Sequence, residues 1–202
     1  MRQAEHQRWT QETQITLKLN LDASQSEALS IDTDLPFLSH MLHAFACHGQ
    51  FALSVAARGD VHVDPHHLIE DVGISLGQCI VKALGGHFKG IQRAGHFAFP
   101  MDGTLSQVSV DLCGRTGLVW NVAFESATIG SLDPRLFREF FKGLADGLQS
   151  VIHINVPYRD NDHHTVEATF KAFSRALRQA VTPVESEILS TKGLLEVRSS
   201  GE

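Results

Sequence analysis

The chain carries one unusual stretch twice. Asp64-Pro65-His66-His67-Leu68-Ile69-Glu70-Asp71 returns as Asn161-Asp162-His163-His164-Thr165-Val166-Glu167, each aligned position 97 residues further on. A chemical signature repeated at one fixed offset restricts the fold more than any single element does. It calls for an internal duplication in which both copies occupy equivalent places. Each copy follows a β-rich segment, residues 60–63 and 151–154, and each opens an apolar-periodic helix, over residues 72–84 and 168–181. Asp64 and Asn161 are good N-cap residues, and Pro65 suits a first helical position. Both His-His pairs are therefore expected at helix starts.

Helix geometry turns His-His-x-x-Glu into a metal signature. His66 and Glu70 are four apart and share a face, as do His163 and Glu167. The second histidine of each pair lies about 100° round the helix from the first. Neighbouring imidazoles therefore aim at different points, and one ion does not readily take both. The simplest partition has two ions: one with His163, Glu167 and His67, the other with His66, Glu70 and His164.

Composition narrows the function classes. The 202 residues are 43% hydrophobic and 20% charged with net charge −6, an ordinary globular balance. Nothing global invites nucleic acid or an anionic membrane, so an anionic ligand needs a local basic cluster. Cys47, Cys79 and Cys113 are odd in number and scattered, which reads as buried thiols in a reducing compartment. The polar first 14 residues hold no apolar signal region and no membrane-length apolar run follows, so a cytoplasmic protein is expected.

Along the chain, alternation predicts strands over residues 13–22 and 105–112, the second with an irregularity suited to a bulge. A polar loop over residues 23–34 has room for a short strand, and Pro36 starts a helix to about residue 48. A strand over 51–56, a turn at 58–60 and a short strand at 61–63 lead to the first His-His helix, which stops at Gly85-Gly86. Residues 113–117 read as a hairpin turn into a strand over 118–124. Asp133-Pro134 starts a helix to residue 148, and a strand over 151–156 precedes the second His-His helix. The expected architecture is α+β, a duplicated β-α repeat with sheets covered by helices. Residues 1–88 form the first repeat, and 89–202 the second with a polar tail, all in one fused unit. The duplication also aligns the helix Phe37-Leu38-Ser39-His40 with Leu136-Phe137-Arg138-Glu139 at an offset of 99, nominating His40 and Glu139 as equivalent further ligands.

On these residues the chain resembles the imidazoleglycerol-phosphate dehydratases of histidine biosynthesis. The likeness runs through Pro36-Phe37-Leu38-Ser39-His40-Met41-Leu42, Gly59-Asp60-Val61-His62, both His-His motifs, Lys89-Gly90-Ile91-Gln92-Arg93 and Gly114-Arg115. It continues through Glu167-Ala168-Thr169-Phe170-Lys171-Ala172-Phe173 to Ser190-Thr191-Lys192-Gly193. The resemblance implies a ribosomal protein S5 domain 2-like fold and a large octahedral homo-oligomer with active sites at subunit interfaces. It also implies two Mn²⁺ per active site, one held by His40, His67, His163 and Glu167, the other by His66, Glu70 and His164. Glu139 joins the second set by repeat equivalence. The implied reaction dehydrates imidazole glycerol phosphate to imidazole acetol phosphate. Ions gripping the imidazole nitrogens act as Lewis acids while the C3 hydroxyl leaves and a carboxylate removes the C2 proton. Glu12 matches the family's substrate-contacting glutamate and, with Glu167, is a candidate catalytic carboxylate. Arg93, Arg115, Lys171, Ser190, Thr191 and Lys192 match its phosphate pocket. The chain departs from the family pattern at Ser39, Leu68, Gly103 and Glu139, the last replacing a metal-ligating histidine. A competing reading is a diverged paralogue, either a metal-bound assembly protein or an enzyme of a related phosphate ester, but the retained phosphate set favours the dehydratase.

Overall fold

Both halves of the chain repeat one order of elements. The computed structural model describes residues 1–23 and 29–185. The first half runs β1 (Gln3–Trp9), β2 (Thr13–Asn20), β3 (Ser30–Thr33), α1 (Pro36–Gly49), β4 (Ala52–Gly59) and α2 (His66–Ala83). The second runs β5 (Ala94–Met101), β6 (Thr104–Asp111), β7 (Gly117–Asn121), α3 (Phe137–Leu148), β8 (Val151–Tyr158) and α4 (Asp162–Ala180), with a 3₁₀ turn at Pro134–Leu136 leading into α3. The sheets have matching orders, β1-β2-β4-β3 and β5-β6-β8-β7. In each, the first two pairings are antiparallel and the edge strand β3 or β7 joins in parallel. The expected duplicated α+β fold is thus present down to strand order.

Each sheet turns one face to helices and one to solvent. On β2, Ile15, Leu17 and Leu19 are buried while Thr16 and Lys18 between them are not. α2 lies on β1 and β2, and α4 on β5 and β6. The helices then pair across the halves, α1 with α4 and α2 with α3. The α2–α3 crossing is close because glycines face backbone on both sides. A Cβ on Gly73 would lie 2.2 Å from the Phe140 carbonyl oxygen, and one on Gly147 2.2 Å from that of Ile74. Phe45, Phe137, Phe140, Phe141, Phe170 and Phe173 are fully buried where the helices meet. Burying such side chains contributes roughly 1.5–3 kcal/mol each.

Several local expectations give way. Strands β1 and β5 open the two sheets, and alternation did not reveal them. β4 continues through Gly59, held in register by its pairing to Thr13, so no turn interrupts it at residues 58–60. Residues 61–63 are a turn closed by the Val63 N–H donating to the Asp60 carbonyl at 2.7 Å, not a strand. The segment 113–117 is no hairpin, because β8 lies between β6 and β7. The expected irregularity in β6 is a register shift between Leu105 and Gln107. Cys79 and Cys113 are buried as expected, but Cys47 is exposed. No described helix is long and apolar enough to cross a membrane.

Candidate metal centre

The helix pairings decide which donors meet. α1 brings His40 to the start of α4, where its Nε2 lies 3.5 Å from the Glu167 carboxylate, and His163 Nε2 lies 3.2 Å from the same oxygen. α3 brings Glu139 to the start of α2, where His66 Nε2 and Glu70 stand 3.4 Å apart. Two three-donor groups result, His40–His163–Glu167 and His66–Glu70–Glu139, each with its ligand atoms within 4.8 Å of one another. Each combines a His/Glu pair from one half with a residue from the preceding helix of the other half. His40 and Glu139 therefore sit in equivalent places.

Local sequence sets these donors at helix ends. Asn161 caps α4 by accepting from the His164 N–H at 2.8 Å, and Asp64 accepts from the His66 N–H at 2.7 Å, with Pro65 already in helical geometry. The positive ends of the helix dipoles favour nearby carboxylates. Glu167 is only 8% exposed. Burial raises its pKa, but the hydrogen bond from Lys171 Nζ at 2.7 Å and the neighbouring Lys171, His40 and His163 charges outweigh this and hold it below the usual carboxylate value. Lys171 occupies Oε1, and the two imidazoles face Oε2. Phe37 packs edge-on against His163 and against Phe137, walling this group on one side. Around the second group, Lys142 Nζ lies 3.7 Å from Glu70 and 3.6 Å from Glu139, and Arg138 donates to Glu139 at 3.0 Å.

Other expected site residues stand elsewhere. As helix geometry requires, His66 and His67 diverge, with ring planes 67° apart, and His163 and His164 with planes 88° apart. Among the described residues His67 joins neither group, and His164 forms a third three-donor group with Asp102 and Asp160, drawn from the second half alone. Glu12, in the turn between β1 and β2, is 3.8 Å from His67 Nδ1. The phosphate candidates are spread along the molecule. The Arg93 N–H donates to the carbonyl of Ala180, and its guanidinium pairs with Asp111 at 2.9 Å. Arg115 is exposed in a shallow depression with His96, Ser109, His153 and Gln179, near that same end of α4. At 1.5 Å per residue, the 17 steps from His163 to Ala180 separate Arg93 from the first group by about 25 Å. Ser190, Thr191 and Lys192 lie outside the described residues. Lys142, Asp60, Asp102 and Asp160 also stand beside the His and Glu donors, brought there by loop and helix packing and not by the repeated spacing. Of the departures, Ser39 Oγ bonds Thr33 and Leu68 is fully buried.

Fold and donors together define the class: an internally duplicated α+β protein with two helix-end His/Glu groups compatible with divalent ions. Residues 33–177 match the family model of imidazoleglycerol-phosphate dehydratase. The chain is 51% identical over 196 residues to the imidazoleglycerol-phosphate dehydratase of Geobacter metallireducens, covering 96% of this chain and 99% of that one. It is 50% identical over 198 residues to that of Nitrosomonas eutropha, covering 96% and 100%. The solved structure of the Staphylococcus aureus enzyme superposes with a TM-score of 0.80 at 36% identity, over 90% of this chain and 99% of that one. The chain belongs to the imidazoleglycerol-phosphate dehydratase family.

Proposed function

We propose that this chain dehydrates imidazole glycerol phosphate to imidazole acetol phosphate in histidine biosynthesis, working in the cytoplasm with two Mn²⁺ per site. The observation that carries the reading is the pair of three-donor groups, built from the same helix ends in both halves of a chain that is half identical to named dehydratases over nearly its whole length. The donor sets fit divalent ions. Imidazole and carboxylate ligands around a partly open position suit Mn²⁺, and three donors leave places for further ligands. When bound, the ions supply Lewis acidity toward the imidazole nitrogens of the substrate.

The chain's own residues take the remaining roles. His40, His163 and Glu167 hold one ion, and His66, Glu70 and Glu139 the other. Lys171 fixes the Glu167 carboxylate so that one oxygen faces the imidazoles. Glu12 accepts the C2 proton. Arg93, Arg115, Lys171, Ser190, Thr191 and Lys192 receive the phosphate, where guanidinium forks and ammonium charges suit its oxygens. About 25 Å separates Arg93 from the first donor group within one chain. His67 and His164 also stand apart from the groups whose partition they were expected to complete. The site is therefore assembled from more than one copy, in a homo-oligomer with active sites at subunit interfaces.

The test is a dehydratase assay on the purified protein after Mn²⁺ reconstitution. Turnover of imidazole glycerol phosphate that chelation abolishes and Mn²⁺ restores is the expected result. Absence of turnover in a folded, ion-loaded protein overturns the proposal.

A further inference from the structure

His67 and His164, the imidazoles left outside the His40–His163–Glu167 and His66–Glu70–Glu139 groups, sit in matching carboxylate cradles. His67 Nδ1 is 3.1 Å from both oxygens of Asp60 and 3.8 Å from Glu12. His164 Nδ1 is 3.1 and 3.0 Å from the oxygens of Asp160 and 3.6 Å from Asp102. In both copies the near carboxylate follows the strand before the His-His helix, β4 or β8. The farther one sits on the turn joining the first two strands, between β1 and β2 or between β5 and β6. The two cradles arise from different spacings, because Asp60 precedes His67 by seven residues and Asp160 precedes His164 by four. The first copy takes up the difference in the turn at residues 61–63. A contact kept across unequal loops points to a requirement of the histidine and not of the loop.

The chemistry of the contact is specific. An ionised carboxylate only accepts, so Nδ1 carries the proton and Nε2 is left as the ring's ligand atom. In the second copy the Asn161 amide nitrogen also lies 2.8 Å from Nδ1. The charge-assisted bond to Asp160 is the stronger of the two and sets the same tautomer. Asp160 is itself fastened, accepting from Thr104 Oγ1 at 2.6 Å and from the Gly103 N–H at 3.3 Å. A Cβ on Gly103 would stand 2.9 Å from the Asp160 Cβ, so the glycine permits this approach.

We propose that Asp60 and Asp160 are positioning residues, each fixing the tautomer and orientation of an imidazole that one chain presents to an ion group of a second copy. Asp60 serves the His40–His163–Glu167 group through His67, and Asp160 serves the His66–Glu70–Glu139 group through His164. The inference rests on the two-ion reading above.

The experiment titrates Mn²⁺ into the full-length protein, following free Mn²⁺ by electron paramagnetic resonance and assembly size by light scattering. Wild type, Asp60→Ala, Asp60→Asn, Asp160→Ala, Asp160→Asn and His67→Ala are compared. Each aspartate-to-alanine change is expected to weaken one of two ions about 10–100-fold, as losing the carboxylate behind a ligating histidine does, and to leave the other unchanged. Each asparagine variant, which still accepts from Nδ1–H, falls between. Asp160 also holds the β5–β6 turn, so Asp160→Asn and the Asp60 pair keep the test decisive if Asp160→Ala does not fold. Two ions bound at wild-type affinity in Asp60→Ala and in the folded Asp160 variants overturn the proposal alone. Unchanged binding in His67→Ala overturns the placement of His67 as a ligand, and the proposal with it.

Discussion

Glu139 shows how a single residue shapes the chemistry of one ion group. It stands where the first group has His40, so its group carries two carboxylates and one imidazole against one carboxylate and two imidazoles opposite. Lys142 and Arg138 lie on these carboxylates and balance part of the added negative charge. On the proposed two-ion function, the extra carboxylate would favour a hard ion such as Mn²⁺ and lower its Lewis acidity toward a substrate imidazole. Glu139→His is therefore expected to keep two ions and at least preserve dehydratase activity, whereas Glu139→Ala loses the ion from its group. Elemental analysis of the two variants after Mn²⁺ loading checks this. Two ions held at unchanged affinity by Glu139→Ala would remove Glu139 from the ligand set. The equivalence of His40 and Glu139 was legible in the sequence because both follow a Phe or Leu-rich helix start at one offset. The Asp60 and Asp160 contacts were not, since their spacings to the histidines differ.

Among the elements, the α2–α3 crossing has the clearest mechanical task. Gly73 and Gly77 on α2 and Gly143 and Gly147 on α3 let the helices approach until Glu70 and Glu139 share one group. A Cβ on Gly143 would lie 2.6 Å from the Glu70 carbonyl oxygen itself. Gly73→Ala, although it raises helix propensity, is expected to lower stability by about 1–3 kcal/mol through overpacking. It should also weaken the ion at His66–Glu70–Glu139 more than the other. A denaturation midpoint at or above that of the wild type contradicts this close approach. The helices and central strands were readable because their buried faces are apolar at helical or alternating spacing. Edge strand β1 was not, because it turns His6 and Arg8 inward. Burial, then the charges of Lys82 and Arg8, push His6 down to a pKa of about 4, and Arg8 pairs with Asp71 at 2.9 Å. A strand whose inner face is polar gives no hydrophobic alternation to read. β5 alternates, but Gly95, Phe97, Phe99 and Met101 on its inner face are only half-buried and its outer positions include Ala94 and Ala98. The contrast between its faces is weak.

At the scale of the whole molecule, duplication crosses the helices of one half onto those of the other, and this crossing makes the His40–His163–Glu167 and His66–Glu70–Glu139 groups, neither of which one repeat supplies alone. The twofold His-His-x-x-Glu signature announced the two groups. Which residues complete them did not follow from one chain, because His67 and His164 stand outside the groups they were expected to join, and Arg93, expected at the phosphate, lies about 25 Å from the first group. The central claim is that these two groups each hold an ion. Anomalous scattering from crystals of the Mn²⁺-reconstituted protein measures it directly. Two manganese peaks per chain are predicted, one among His40, His163 and Glu167 and one among His66, Glu70 and Glu139. A single peak per chain, or peaks away from both groups, contradicts the account.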